Sequence, residues 1–250
     1  MTRFLLALLL LAFFPITANA QSAATLVPVS VPPPPPAKQP PPVVLELFTS
    51  QGCAFCPPAD QLMGQMIQQQ SVIGLSCHVD YFSVRKNPLG KSFCTARQQQ
   101  YQKLIGNGPR YTPQLVVNGH MDMIGYEANK VSAAILKGRA EKIYPIQLTS
   151  AGGDAYSFSL PQISSGGDTL NLWMAIFDSP KSMAITEGNN LGKTVTYYNV
   201  VSRLLDMGPW DGTPMARGIN AAFEPSNGGV ALIVQNSRTG QIVAAGSANK

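Results

Sequence analysis

Between Val43 and Ile67 three kinds of local structure follow one another without slack. The run VVLELF at 43–48 is apolar and β-branched, the composition of a buried strand. Thr49-Ser50-Gln51-Gly52 then turns the chain into Cys53-Ala54-Phe55-Cys56, and Pro57-Pro58 can open a helix but not sit inside one. Leu62, Met63, Met66 and Ile67 recur at helical spacing before a polar run of glutamines closes the segment. This order places Cys53 at a helix N-terminus, where aligned peptide dipoles favour a thiolate. Cys53 is therefore the expected attacking sulfur, and Cys56, one turn inward, the resolving one.

The same reading continues along the chain. Val72 to Val79 predicts a second buried strand, parallel to the first through a right-handed crossover. Phe93, Ala96, Tyr101, Leu104 and Ile105 share one face of a helix predicted over Ser92 to Ile105, with Gly106 as its stop. QLVV, Asn118-Gly119 and MDMI form a hairpin signal, because asparagine and glycine accept the positive φ of a tight turn. A helix over Glu127 to Lys142 closes a β-α-β-α-β-β-α order, a domain spanning residues 43–143. Parallel strands end on one edge of a sheet, so His78, Asp80 and Tyr81 should reach the cysteine edge, with Thr112 and Pro113 opposite. A cis bond before Pro113 would offer a backbone edge to an extended substrate, with Phe55 beside it.

From residue 144 to 250 the period changes to alternation. Candidate strands are Ile146–Thr149, Tyr156–Leu160, Leu170–Phe177, Thr194–Val201, Ala216–Phe223, Val230–Val234 and Ile242–Ala245, separated by glycine-rich turns. This predicts an all-β, sandwich-like second domain, packed on or tethered to the first.

At the other end, Arg3 precedes an apolar run from Phe4 to Phe14, and Ala18 and Ala20 frame a cleavage site, so residues 1–20 read as a signal peptide. The run is too short to span a bilayer of about 30 Å. Residues 21–42, with prolines at 32–36 and 40–42, read as an extended linker. Without Arg3 the chain carries seventeen basic and thirteen acidic residues, scattered with no polybasic run, which argues against nucleic acid as a partner. A periplasmic or secreted protein without a membrane span in its mature form is expected.

The cysteine pair and the Thr112-Pro113 step, in this order of elements, resemble the thioredoxin superfamily across residues 43–142. More narrowly, ELFTSQGC at 46–53, CPPAD at 56–60, HVDY at 78–81, TARQ at 95–98 and YTPQLVVNG at 111–119 resemble the secreted proteins grouped as domain of unknown function 1223. The similarity extends through EGNNLGKTVTYYNVV at 187–201. That resemblance implies a fold rather than a reaction. Against the family pattern this chain has Ala54-Phe55 between its cysteines, Phe82 in place of tryptophan and Tyr198 in place of histidine. It also has Cys77 and Cys94 where apolar side chains are usual, so these two read either as a second bridge or as two buried thiols.

Other candidates carry two readings each. Glu46, an acid within an apolar strand, is either a proton-transfer group beneath the thiols or a paired or edge residue. His78 either tunes the thiolate or is a hydrogen-bonded structural histidine. Met63, Met66 and Tyr101 read as core. Glu187, Asn189 and Asn190 either contact the active edge or form a turn. Three functions follow: an exported thiol-disulfide oxidoreductase acting on protein substrates or a redox partner, with no cofactor beyond its own disulfide; a copper- or zinc-handling protein using Cys53, Cys56 and His78; and a non-enzymatic binding module in which the pair is a staple.

Overall fold

The computed structural model describes residues 26–27, 40–82, 88–106 and 108–250. The predicted signal peptide and most of the proline-rich linker lie outside them. Within the linker, Leu26–Val27 form a short strand, β1, rather than only a spacer.

The α/β unit runs β2 (Val43–Thr49), α1 (Pro57–Met66), β3 (Val72–His78), α2 (Ser92–Ile105), β4 (Gln114–Val117), β5 (Met121–Ile124) and α3 (Ala128–Arg139). Its sheet has the order β3-β2-β4-β5, with β2 parallel to β3 and antiparallel to β4. Alternation along β2 sorts its two faces. Val43, Leu45 and Leu47 pack with Leu62 and Met63 of α1 and Val131 and Ile135 of α3. Val44 and Phe48 point the other way, into a cluster with Cys94 and Tyr101 of α2. Gly106 ends α2 with φ of 72°, the left-handed conformation that glycine adopts without a Cβ penalty.

The β-rich unit contains β6 (Tyr144–Pro145), β7 (Gln147–Gly152), β8 (Ala155–Leu160), β9 (Leu170–Asp178), β10 (Lys181–Ala184), β11 (Thr194–Tyr197), β12 (Val201–Trp210), β13 (Met215–Asn220), β14 (Asn227–Asn236) and β15 (Ile242–Asn249). One sheet has the order β12-β9-β14-β15-β6, a second β1-β13-β8-β7, and β10 and β11 pair separately as a two-stranded sheet. Tyr156 and Phe158 of β8 face Leu172, Met174 and Ile176 of β9 and Leu232 and Val234 of β14 in one core between the sheets. The five-stranded sheet is apolar on its other face too. Ala175, Phe177, Ala231, Ile233 and Ala245 join Val44, Phe48 and Leu75 of the α/β unit in a continuous cluster.

Two differences from the sequence reading have physical causes. The stretch 194–201 is not one strand: Asn199 takes φ of 47° and breaks it into β11 and the start of β12. β10 and β12 carry weak alternation, β10 because it is a four-residue arm of an exposed hairpin and β12 because its pairing with β9 shifts register twice.

Candidate functional site

Cys53 and Cys56 form a disulfide at the head of α1, with Cα atoms 5.4 Å apart. The turn before them is tied locally: Gly52 N–H donates to Ser50 Oγ at 3.2 Å and Cys53 N–H to the Ser50 carbonyl at 3.1 Å. Cys56 N–H donates back to the Cys53 carbonyl at 3.2 Å, and Cys56 is the residue from which the helix starts. Pro57 and Pro58 fix φ at the first turn but bring no N–H groups, so the helix head keeps its dipole and loses two local donors. Of the two sulfur-bearing residues Cys53 is 4 % exposed and Cys56 is sealed, while Ala54 and Phe55 between them stand in solvent.

Across from the pair, Thr112-Pro113 is a cis peptide, and Cys53 Sγ lies 3.6 Å from the Thr112 carbonyl oxygen. Pro113 itself is buried, and its carbonyl accepts from Gly125 N–H at 2.9 Å. Tyr81, partly exposed, donates its hydroxyl to Gln98 Oε1 at 3.1 Å, and the Gln98 amide donates to the Tyr111 carbonyl at 2.8 Å. Arg110 covers the Tyr81 ring. Asp80, also exposed, accepts the Thr95 hydroxyl and so fastens the end of β3 to α2.

Behind the disulfide is a closed polar cluster built from several segments of the chain. His78 is fully buried, on the α1 side of the sheet, with its ring edge-on to Tyr197 at 4.9 Å between centroids. Asp60, four residues after Cys56, lies on the same helix face and leans toward the helix start. Asp60 Oδ1, the Thr49 hydroxyl and both ring nitrogens of His78 make no hydrogen bond among the described residues. Burial pushes the Asp60 carboxyl up to about 8, the dipole of the Thr49 hydroxyl opposing it. Burial pushes the His78 imidazole down to about 3. Both groups are thus neutral at pH 7. The sequence carries one signal for Asp60, its spacing of four residues from Cys56.

Glu46 is not beneath the thiols. It faces α2, where Arg97 Nε donates to Oε2 at 3.0 Å and Arg97 Nη2 to Oε1 at 2.9 Å, with the Tyr101 hydroxyl also donating to Oε1. Arg97 Nη1 reaches Gln235 Oε1 of β14 at 2.7 Å, so this network belongs to the seam between the units. Cys77 and Cys94 are joined as a second disulfide, tying β3 to α2 on that same side.

The β-rich unit contributes directly to the cysteine turn. Between β10 and β11 a 3-10 turn at Gly188–Asn190 lies over it. Asn190 is fully buried, and its Nδ2 donates to the Cys53 carbonyl at 2.7 Å and to the Gln51 carbonyl at 3.0 Å. Asn189 Nδ2 lies 3.4 Å from the Gly52 carbonyl, and Lys193 Nζ donates to Asn190 Oδ1 at 2.9 Å. Glu187 caps nothing with its side chain. Tyr198 rests on α1 at Gly64, where any Cβ would collide with its ring. Among the described residues no three His, Cys, Asp or Glu side chains converge as a metal site, and no helix is long and apolar enough to cross a membrane.

The sequence profile of the family described as Protein of unknown function (DUF1223) matches residues 44–235. Two of the similar solved structures are the following. A protein from Agrobacterium tumefaciens, solved by X-ray crystallography, is 29 % identical, with a TM-score of 0.69 over 85 % of this chain and 95 % of that one. HBP35 of Porphyromonas gingivalis is 18 % identical, with a TM-score of 0.62 over 85 % of this chain and 76 % of that one, a likeness of fold alone. No protein of curated function matches.

Proposed function

This chain belongs to the DUF1223 family, and from its site we propose that it is a thiol-disulfide oxidoreductase built on a thioredoxin-like unit and acting outside the cytoplasm on exported proteins. One observation carries the reading. The outer sulfur of the pair, Cys53, sits at the head of α1 and 3.6 Å from the Thr112 carbonyl, beside Pro113, while Cys56 is sealed behind it. The strand arrangement, with β2 central between parallel β3 and antiparallel β4, supports the thioredoxin-like assignment.

In the reduced protein the Cys53 thiolate attacks one sulfur of a substrate disulfide. The substrate S–S bond breaks, a Cys53–substrate bond forms, and the displaced thiolate takes up a proton. Cys56 then attacks the Cys53 sulfur, reforms the internal disulfide and releases the second substrate thiol. The substrate gains two electrons and the cysteine pair loses them; the relative potentials of the two disulfides set the direction. Asp60, one helical turn from Cys56, carries a proton at neutral pH that it can give to the Cys56 thiolate when the internal disulfide is opened; as the resulting carboxylate it can take the proton back when Cys56 attacks. Phe55, Tyr81 and the Thr112 backbone frame the approach of the substrate.

The decisive test is reduction of insulin by dithiothreitol in the presence of the protein. Catalysis should require both cysteines, and Cys56→Ala should accumulate mixed disulfides on Cys53. Wild-type protein no faster than the Cys53→Ser, Cys56→Ser double variant overturns the proposal. A second reading draws on the 4 % exposure of Cys53: the bond is a fixed staple. A reduction potential below about −300 mV, with no exchange against glutathione, would select it.

A further inference from the structure

Asn190 is a fully buried amide from the β-rich unit, yet both of its side-chain donor contacts end on backbone carbonyls of the cysteine turn, at Gln51 and Cys53. Those two carbonyls belong to the peptide units before Gly52 and after Cys53, so the amide fixes the stretch of backbone that aims Cys53 Sγ. On its acceptor side the amide is held by the Lys193 ammonium at 2.9 Å. A charged donor on Oδ1 polarises the amide and strengthens its N–H groups as donors. The turn therefore stands two hydrogen bonds from a positive charge.

The helix head has need of it. With proline at both of its first two positions, α1 lacks two of the N–H groups that would otherwise face an anion there. We propose that Asn190, backed by Lys193, is a positioning residue for the redox turn: the second domain holds the Cys53 peptide and supplies the polarisation that favours its thiolate. This rests on the redox reading of Cys53 but concerns a different quantity, the ionisation of the reduced thiol rather than turnover.

The two are separable by experiment. In dithiothreitol-reduced full-length protein, the rate of iodoacetamide alkylation of Cys53, followed by peptide mass, gives its ionisation midpoint whether or not the protein catalyses anything. Asn190→Ala is expected to raise that midpoint by roughly one pH unit, a tenfold loss of thiolate below it, and to shift the glutathione equilibrium of the pair by a similar factor. Lys193→Gln leaves the amide contacts in place and should raise the midpoint by a smaller amount. Ser182→Ala removes the hydroxyl that bonds Thr196 across the exposed arms of the same hairpin and should leave the midpoint unchanged. A folded Asn190→Ala protein with the wild-type midpoint overturns the proposal; if that variant does not fold, an unchanged midpoint in Lys193→Gln does so. Insulin reduction by the wild-type protein stands or falls independently of both.

Discussion

Asp60 and His78 lie in one sealed cluster and answer pH in opposite senses. The Asp60 carboxyl ionises near 3.8 in the unfolded chain and at about 8 when folded, so between those values the unfolded state holds fewer protons and stability falls as pH rises. The His78 imidazole titrates near 6.5 unfolded and at about 3 folded, so the unfolded state holds more protons in that window and stability is lost as pH falls. Each slope is at most about 1.4 kcal/mol per pH unit. They cancel from about pH 4 to 6.5, and above 6.5 only the Asp60 loss remains. Urea midpoints at pH 5, 6.5 and 8 should show a plateau followed by a fall, and Asp60→Asn should flatten the fall; an undiminished fall in that variant would exclude Asp60 as its source. His78→Gln should turn the plateau into a decline with rising pH. Cys53, Cys56 and the Thr112-Pro113 step were legible in the sequence because strand, turn and helix signals are local. The Asp60 cluster was not, since Thr49, Asp60, His78 and Tyr197 come from four segments and only packing reveals that none of them meets water.

The β10–β11 hairpin shows how an element can be visible in composition and invisible in role. Residues 187–201 were readable as a motif and partly as a strand, but the break at Asn199 was not. There Asn199 Nδ2 donates to the Gly74 carbonyl at 2.9 Å and its own carbonyl accepts from Ser76 N–H at 3.0 Å, so contacts to β3 hold the left-handed backbone. That bend sends the hairpin over the cysteine turn. It carries Leu191, 67 % exposed, next to Asn190, while Phe55, also 67 % exposed, projects from the turn that Asn190 holds. Exposed apolar side chains from both units thus adjoin, along the chain, the contacts that Asn190 makes to the Cys53 backbone, and large exposed apolar groups gathered at a site mark a protein-binding surface. Phe55→Ala and Leu191→Ala, singly and together, should raise KM for a protein disulfide several-fold with little change in kcat, and leave the reduction of a small disulfide such as oxidised glutathione unaltered. Equal effects on both substrates would mean that these side chains shape the sulfur itself and not the docking of a polypeptide.

At the scale of the whole molecule the five-stranded sheet is an inner layer, apolar toward its partner sheet and toward the α/β unit alike. β9 and β14 could be read as strands from their near-continuous apolar runs, but which second face they cover is a property of tertiary packing. Glu46 signalled the seam more directly: an acid in a buried strand needs a partner. That partner, Arg97, is on α2, with Gln235 of β14 and the Trp173 ring completing its surroundings. Because both charges are buried, the pair is worth less as a bond than its loss would cost as a defect. Arg97→Met leaves the Glu46 carboxylate buried with the Tyr101 hydroxyl alone beside it, and should destabilise the protein by about 3–5 kcal/mol. Adding Glu46→Leu removes the stranded charge and should recover most of that loss. Urea unfolding followed by tryptophan fluorescence, to which Trp173 at the seam contributes, and by far-UV circular dichroism should give coincident transitions in the wild-type protein, because the apolar cluster is continuous across the two units. Separate transitions would show that the units unfold independently, and a double variant no more stable than Arg97→Met would show that the network matters for its shape and hydrogen bonds rather than for the balance of its charges.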